Sequence, residues 1–332
     1  MALIDALLAA GQQILSPVTA AFALAAIGLN IHYGYTGLIN FGQAGFVAVG
    51  AYGFALSVVW LGLPTWVAIL IAFGAAALFA VLLGIPTLRL RGDYLAIVTI
   101  AAAEIVRYTV NSALFDDVTG GAQGITNNPS QGSDYSTWLD QFNPFGEGRI
   151  ELGPWVFTGT SLWWALVTWV IVGLVTLLVW LLMRSPWGLT LRGVREDQEA
   201  MASLGKNVGA IKMQALVLGG VIGAMAGILY VLPAAVSPID FNSRMTFNLF
   251  TIVLLGGAAT IFGPILGSIL FWAVLVLSEA AITWLVDIGV LAAVADAPQL
   301  RFALVGLALA LLIVFRPQGI LGNRKEMSFD RS

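Results

Sequence analysis

Seven ionisable residues fall within one stretch, 185–212, that separates two long apolar blocks; they are Arg192, Arg195, Glu196, Asp197, Glu199, Lys206 and Lys212. Residues 195–204 contain neither Pro nor Gly and predict a short helix. Gly205 would end this helix, because glycine readily adopts the left-handed backbone found at helix stops. Ala200, Met201 and Leu204 then lie on one side. A charged segment with such an apolar edge favours docking of a soluble protein, although many charged loops serve only to set topology.

The sequence offers no set of residues for covalent, metal or nucleotide chemistry. It has no Cys and a single His, His32, so neither a thiolate site nor a cluster of histidine ligands can form. Gly205-Lys206 is followed by Asn207, and Ala200 stands where a P-loop needs Gly, so this pair does not bind ATP phosphates. The isoelectric point near 5.1 argues against nucleic acid as a partner. We therefore predict no catalytic residue, no metal and no cofactor.

Glu104 and Arg107 form the other candidate pair. Glu104 lies eleven residues beyond Asp93 within an apolar run, roughly 16 Å into the hydrocarbon layer. A carboxylate at that depth must face protein or water, and Arg107 at i+3 can reach it. One interpretation is an internal ion pair that orders the helix. The other is a group that binds a substrate ammonium or braces a gate.

The composition indicates that these residues are held by membrane-spanning helices. The 332-residue chain is 59% hydrophobic and only 10% charged, with a mean hydropathy of +0.92. These values predict a single all-α polytopic membrane domain, 1–332, with about eight to ten transmembrane or re-entrant helices. After an interfacial helix at 1–16, the predicted spans are 17–32, a segment ending near Trp60, 65–88, 94–111, 162–183, 213–236, 265–286 and 301–315.

Two Gly-rich stretches interrupt this pattern. Residues 33–53 contain six glycines, which indicates a broken or tightly packed segment. Residues 246–255 are apolar but too short to cross, and glycines and Gly263-Pro264 follow, which predicts a half-helix or re-entrant element. One such stretch in each half of the chain is also what an internal repeat would produce.

The distribution of charge predicts the orientation. Eleven of the fifteen basic residues fall on one side, so the N-terminus is expected outside and the C-terminal tail, 317–332, in the cytoplasm. The stretch 185–212 is then a cytoplasmic loop. The polar segment 113–161 becomes an outer loop with six carboxylates and one cation, and we expect it to help dock a partner protein.

Several motifs resemble those of ABC importer permeases of the branched-chain amino acid, LivM-type, family. Glu199-Ala200-Met201 with Gly205 is similar to the coupling loop, although the family usually has a second Ala at the position of Met201. Further similar blocks extend over roughly 24–322: Gly28-Leu29-Asn30, Gly34-Tyr35-Thr36-Gly37, Gly42-Gln43-Ala44, Leu88-Arg89-Leu90-Arg91-Gly92, Tyr94-Leu95-Ala96-Ile97-Val98-Thr99, Thr119-Gly120-Gly121, Gly256-Gly257, Gly263-Pro264 and Phe315-Arg316-Pro317-Gln318-Gly319.

The resemblance implies a permease subunit in a bacterial or archaeal plasma membrane. Its partners would be a second, LivH-like permease, two ATP-binding subunits and an extracytoplasmic substrate-binding protein. The implied contact with the ATPase comprises Arg195, Glu196, Asp197, Glu199, Ala200, Met201, Leu204 and Gly205. Candidate residues of the translocation path or gate are Asn40, Gln43, Thr99, Glu104 and Arg107.

The substrate is left open by the sequence. Branched-chain or other hydrophobic amino acids are the expected cargo, and the same architecture in related permeases carries urea or short amides. A stand-alone secondary transporter or channel is a different class, and it would need a polar relay inside the membrane that only Glu104 and Arg107 could begin. A structural membrane protein is disfavoured by the Gly-broken segments.

Overall fold

The computed structural model describes residues 2–90, 92–125, 138–146, 148–233, 235–287, 306 and 318–322. Within these ranges the chain is almost entirely helical. Its α-helices are α1 (Ala2–Ile14), α2 (Pro17–Asn30), α3 (Gln43–Val59), α4 (Thr65–Thr87), α5 (Gly92–Val110), α6 (Asp116–Thr119), α7 (Gly159–Arg184), α8 (Pro186–Glu196), α9 (Gln198–Ser203), α10 (Val208–Val231), α11 (Ser243–Gly256) and α12 (Gly263–Asp287).

Five of the described helices are long and apolar enough to cross a membrane, or six if α5 is joined to the bent segment that follows it. α3 and α11 are apolar but shorter. The prediction of an all-α polytopic membrane protein is therefore confirmed. Apart from Gly306, the predicted span 301–315 lies outside the described residues, as does most of the tail 317–332.

The centre of the fold is built from α2, α3 and α10, which approach one another at glycines. α2 is buried along almost its whole length. A Cβ on Gly219 of α10 would lie 2.5 Å from the carbonyl oxygen of Gly28 on α2, and one on Gly227 would overlap the carbonyl of Val47 on α3. Small residues thus let the backbones touch, which is how helices pack in lipid without a hydrophobic driving force.

α4 shows the opposite pattern and lies at the periphery. Its buried residues are mainly alanines at intervals of four, Ala68, Ala72, Ala76 and Ala80, which form one narrow stripe against α3 and α10. Leucines and isoleucines on its other faces, such as Leu70, Leu78, Leu82 and Ile85, are about 60% exposed. An apolar outer surface of this kind is expected against lipid.

The segment predicted as an open outer loop contains a β-hairpin. β1 (Arg149–Leu152) pairs antiparallel with β2 (Trp155–Thr158). The indole Nε1 of Trp155 donates to the carbonyl of Leu8 at 2.9 Å, and Gln12 donates to the carbonyl of Val156 at the same distance. The hairpin therefore attaches α1 to the loop. α7 begins at Gly159, so the connection ends earlier than the predicted boundary of 161.

The two Gly-broken stretches meet at one end of the bundle. α2 continues into a π-helical turn, Ile31–Tyr35, before the chain reverses into α3. The second break lies between α11 and α12. Asn30 joins them, because its Nδ2 donates to the carbonyl of Thr260 at 2.8 Å and its Oδ1 accepts from the amide of Ala259 at 2.9 Å. An internal repeat relating the two stretches stays a prediction.

Candidate functional site

α8 begins the charged stretch and is anchored to the bundle. Leu191 and Val194 are fully buried. Gly188 sits where a Cβ would lie 2.5 Å from the Cα of Met183, so α8 folds back closely on the end of α7. The indole Nε1 of Trp187 donates to Gln214 Oε1 on α10 at 2.9 Å. α8 is therefore packed firmly against α7 and α10 and is not a free loop.

The predicted continuous helix over 195–204 is wrong, because the chain breaks at Asp197. Asp197 has extended dihedral angles, φ −153° and ψ 108°, and ends α8. Its carboxylate accepts hydrogen bonds from the amides of Glu199 and Ala200, both at 2.9 Å. Aspartate is a preferred N-cap because it satisfies the free amides of a first turn. It therefore starts a new helix, α9, and Glu196 belongs to the helix before it.

The predicted stop at Gly205 is confirmed. Its φ is +75°, in the left-handed region. The amide of Lys206 donates to the carbonyl of Met201 at 3.1 Å, and the amide of Gly205 donates to Ala202 at 2.9 Å. This pair of bonds is the Schellman arrangement, which satisfies the free carbonyls at the end of a helix.

α9 is a small exposed helix closed at both ends. None of its residues is buried, and Leu204 directly after it is 73% exposed. Met201 packs against Gly193 of α8 and is only partly exposed, so the outward apolar residues are Ala200, Ala202 and Leu204. We define the coupling surface as six of the exposed residues of this unit: Glu196, Asp197, Glu199, Ala200, Leu204 and Gly205.

Arg195 does not belong to the coupling surface. Its Nη1 donates to the carbonyl of Gly34 in the π-helical turn at 2.7 Å. Its stem lies over Gly37, where a Cβ would be 3.4 Å from Cγ. Lys212, expected in the loop, lies within α10 and donates to Gln198 Oε1 at 2.6 Å. The first bond links α8 to the broken segment, and the second links α9 to α10.

Asn40, Gln43 and Thr99 are all buried, at no more than 1% exposure. Asn40 Nδ2 lies 3.0 Å from Nδ1 of His32, and His32 Nε2 lies 3.1 Å from the carbonyl oxygen of Leu216. Gln43 Nε2 donates to the carbonyl of Gly219 at 3.3 Å. In this conformation these candidates therefore hold the broken segment in place. His32 joins them without any local signal in the sequence, since its partners come from distant parts of the chain.

Glu104 and Arg107 form the predicted ion pair. Arg107 Nε donates to Glu104 Oε2 at 2.6 Å. The other carboxylate oxygen accepts from the hydroxyl and the amide of Ser243 at 2.6 and 3.1 Å. Ser243 begins α11, so the carboxylate also connects two helices. The side chains of Arg107 and Glu104 are 19% and 24% exposed.

The comparisons with known proteins agree with this architecture. The family described as "Branched-chain amino acid transport system / permease component" matches residues 14–315. The chain belongs to this permease family. The LivM proteins of Escherichia coli and Salmonella typhimurium are each 32% identical to it over 94% of the chain and 70% of their own length. A probable LivM of Methanocaldococcus jannaschii is 25% identical over 91% of both chains.

No solved structure matches the permease. Its family and its apolar helices identify it as a multi-pass membrane subunit of an ABC importer. Its Asp197-capped helix α9, closed by Gly205, occupies the position of the predicted coupling loop.

Proposed function

We propose that this permease imports branched-chain or other hydrophobic amino acids. It would form the path with a LivH-like second permease, above two ATP-binding subunits and below an extracytoplasmic binding protein. The family and the names of its LivM relatives, which specify branched-chain amino acid transport, support the class of cargo. The N-terminus would be outside and the C-terminus in the cytoplasm, as the basic residues indicate.

The observation that carries the proposal is the construction of α9. A six-residue helix is too short to be stable alone, yet Asp197 and Gly205 fix both of its ends. It rests on α8 and exposes Ala200 and Leu204. Ala200 and Leu204 form an apolar edge beside the charged residues Glu196, Asp197 and Glu199, and we infer that a cleft on an ATPase subunit covers this edge.

Movement of α9 has a direct route into the membrane bundle. Arg195 links α8 to the π-helical turn, and Asn30 links the residues just before that turn to the break between α11 and α12. π-helical turns are frequent at functional sites. A displacement of α9 by the ATPase would therefore reach both broken segments through hydrogen bonds of 2.7 to 2.9 Å.

The alternative of a stand-alone secondary transporter is less well supported. Such a protein needs an ionisable relay in the membrane, and Glu104 is its main candidate. Among the described residues, three donors reach this carboxylate, one from Arg107 and two from Ser243. These bonds favour a structural role for Glu104 over a relay. Import of urea or short amides differs only in cargo and is decided by an uptake measurement.

The outer segment is proposed to help dock the binding protein. Asp116 and Asp117 are exposed on α6, whereas Asp134 lies outside the described residues. Complementary charge mainly accelerates encounter and is screened by salt. Neutralising Asp116 and Asp117 should slow association with the binding protein most at low ionic strength. An association rate that is unchanged at every salt concentration would contradict this role.

Leu204→Asp tests the coupling role. A charge on this edge would have to be buried in the contact with the ATPase, which is costly. We expect the complex to lose substrate-stimulated ATP hydrolysis and the purified permease to retain less of its ATPase subunit. Leu61→Asp is the matched control, because Leu61 is similarly exposed, at 65%, in the turn after α3.

Two outcomes would count against the proposal. Normal stimulated hydrolysis in Leu204→Asp would exclude α9 as the coupling contact. Equal losses in Leu204→Asp and Leu61→Asp would indicate a general defect in assembly. Thermal unfolding of both variants, measured in the same detergent, separates a local loss of contact from misfolding.

A further inference from the structure

α11 carries a stripe of residues that the fold leaves uncovered. Arg244, Phe247, Asn248, Thr251 and Leu254 recur at helical spacing on one side and are exposed or partly exposed, with Phe247 at 51%. The opposite side is buried in the bundle through Met245, Leu249, Phe250 and Val253. We call the uncovered residues the α11 stripe.

Three members of the α11 stripe are polar, and none of the three has a partner among the described residues. Within the described part of the chain, no hydrogen bond or ion pair involves the side chain of Arg244, Asn248 or Thr251. Buried threonines elsewhere in the bundle behave differently. Thr168 and Thr176 of α7 donate to the carbonyl four residues earlier at 2.7 and 2.6 Å. The Thr251 hydroxyl makes no such bond.

Two contacts place the α11 stripe at membrane depth. Ser243 bonds Glu104, which is twelve residues, or roughly 18 Å, from the start of α5. Phe250 stacks on Phe41 with ring centroids 4.3 Å apart. The amide of Phe41 in turn donates to Oγ1 of Thr99, which lies roughly 10 Å from the start of α5. α11 thus runs alongside the middle of α5. Asn248 lies between the Ser243 and Phe250 contacts, and Thr251 lies directly after Phe250.

Lipid is a poor neighbour for the α11 stripe. An unsatisfied polar group in hydrocarbon costs several kcal/mol, and a cation there costs more. Peripheral helices of this chain show what a lipid surface looks like, since the outer face of α4 is purely apolar. The α11 stripe must therefore face water or another protein surface.

We propose that the α11 stripe lines the translocation path and contacts the substrate, which would be a small zwitterion with an apolar side chain. This inference rests on the proposed function. Glu104 is already paired with Arg107, so Arg244 is a cation without a counter-ion in the described residues, and it can bind a carboxylate. Phe247, whose ring lies 5.4 Å from that of Phe41, offers an apolar surface to the side chain. Asn248 and Thr251, one and two helical turns after Arg244, supply hydrogen bonds to the substrate.

Cysteine labelling in the full transport complex tests the proposal, because the native chain has no Cys. Asn248→Cys and Thr251→Cys are to be reconstituted and treated with a charged, water-soluble thiol reagent, with and without leucine delivered by the binding protein. Leu174→Cys on α7, where Leu174 is 62% exposed on an apolar helix, is the control. We expect labelling at both α11 positions, none at the control, and slower labelling in leucine.

Arg244→Gln, combined with Thr251→Cys, tests recognition of the carboxylate. A hydrogen bond to a charged group contributes about 1.5–3 kcal/mol, so the leucine concentration that gives half protection should rise about tenfold or more. Arg244→Lys should restore part of this protection, because it keeps the charge.

Several results would overturn the proposal. Absence of labelling at both α11 positions, together with cross-linking to the second permease, would make the stripe a subunit interface. Labelling that leucine does not slow would show that the stripe faces water but does not contact the substrate. Leucine uptake by the unsubstituted complex is measured in parallel. If that complex imports leucine, labelling that leucine does not slow refutes only the role of the α11 stripe, and the proposed function stands. If it imports another solute instead, the proposed cargo fails, and protection by that solute decides the role of the stripe.

Discussion

The contacts of Glu104 allow a quantitative prediction. Its carboxylate accepts bonds from Arg107 Nε, the Ser243 hydroxyl and the Ser243 amide. Glu104→Gln keeps an oxygen for Ser243 but leaves Arg107 without its counter-ion. Breaking a buried pair costs about 3–5 kcal/mol and an exposed one less than about 1 kcal/mol. Because Glu104 and Arg107 are 24% and 19% exposed, we expect about 1–3 kcal/mol for either single change.

The double variant distinguishes the two roles left open for Glu104. Glu104→Gln with Arg107→Gln removes both charges, so it should recover more than half of the stability lost in either single variant. Each single change should lower the melting temperature in nanodiscs by roughly 2–6 °C, and the double variant should transport nearly normally. Strictly additive losses would refute the ion-pair account. A double variant that assembles fully but stays inactive would instead assign Glu104 to substrate binding or gating.

The remaining predictions concern orientation, packing and transmission. Ser203→Cys at the end of α9 should be labelled only from the cytoplasm, and Asp117→Cys on α6 only from outside. Labelling of both residues from the same side would contradict the proposed topology. Gly227→Leu should prevent stable folding, because its side chain would overlap the Val47 carbonyl, whereas Gly74→Leu on α4, where a Cβ meets nothing within 4 Å, should fold normally as judged by gel filtration. Arg195→Met should retain the ATPase subunits yet lose most of the substrate-stimulated hydrolysis, because it removes the bond to Gly34; full stimulation in this variant would show that the signal takes another route.

Local patterns in the sequence were sufficient for most of the helices. Continuous apolar runs predict α4, α5, α7 and α12 to within a few residues, because each is a span whose length the bilayer sets. The stop at Gly205 was equally predictable, since it depends on the conformational freedom of one glycine. The break at Asp197 is ambiguous in the sequence, because an aspartate suits both a first helical turn and an N-cap.

The rest depends on contacts between distant residues. The direction of Arg195 is decided by the carbonyl of Gly34, 161 positions away, and the position of Asn30 by Thr260, 230 positions away. Neither partner is visible in the local sequence. The same holds for the path candidates Asn40, Gln43 and Thr99, which the fold buries. The α11 stripe is not predictable from the sequence, because a short apolar run does not show which of its faces the bundle leaves uncovered.

Reconstituted uptake of labelled leucine tests the central claim most directly. Proteoliposomes would contain the permease, its permease partner and the ATP-binding subunits, with the binding protein added outside. We predict accumulation of leucine above the external concentration that requires both internal ATP and the binding protein, and that is lost in Leu204→Asp but retained in Leu61→Asp. Leucine movement by the permease alone, independent of ATP and of the binding protein, would contradict the account.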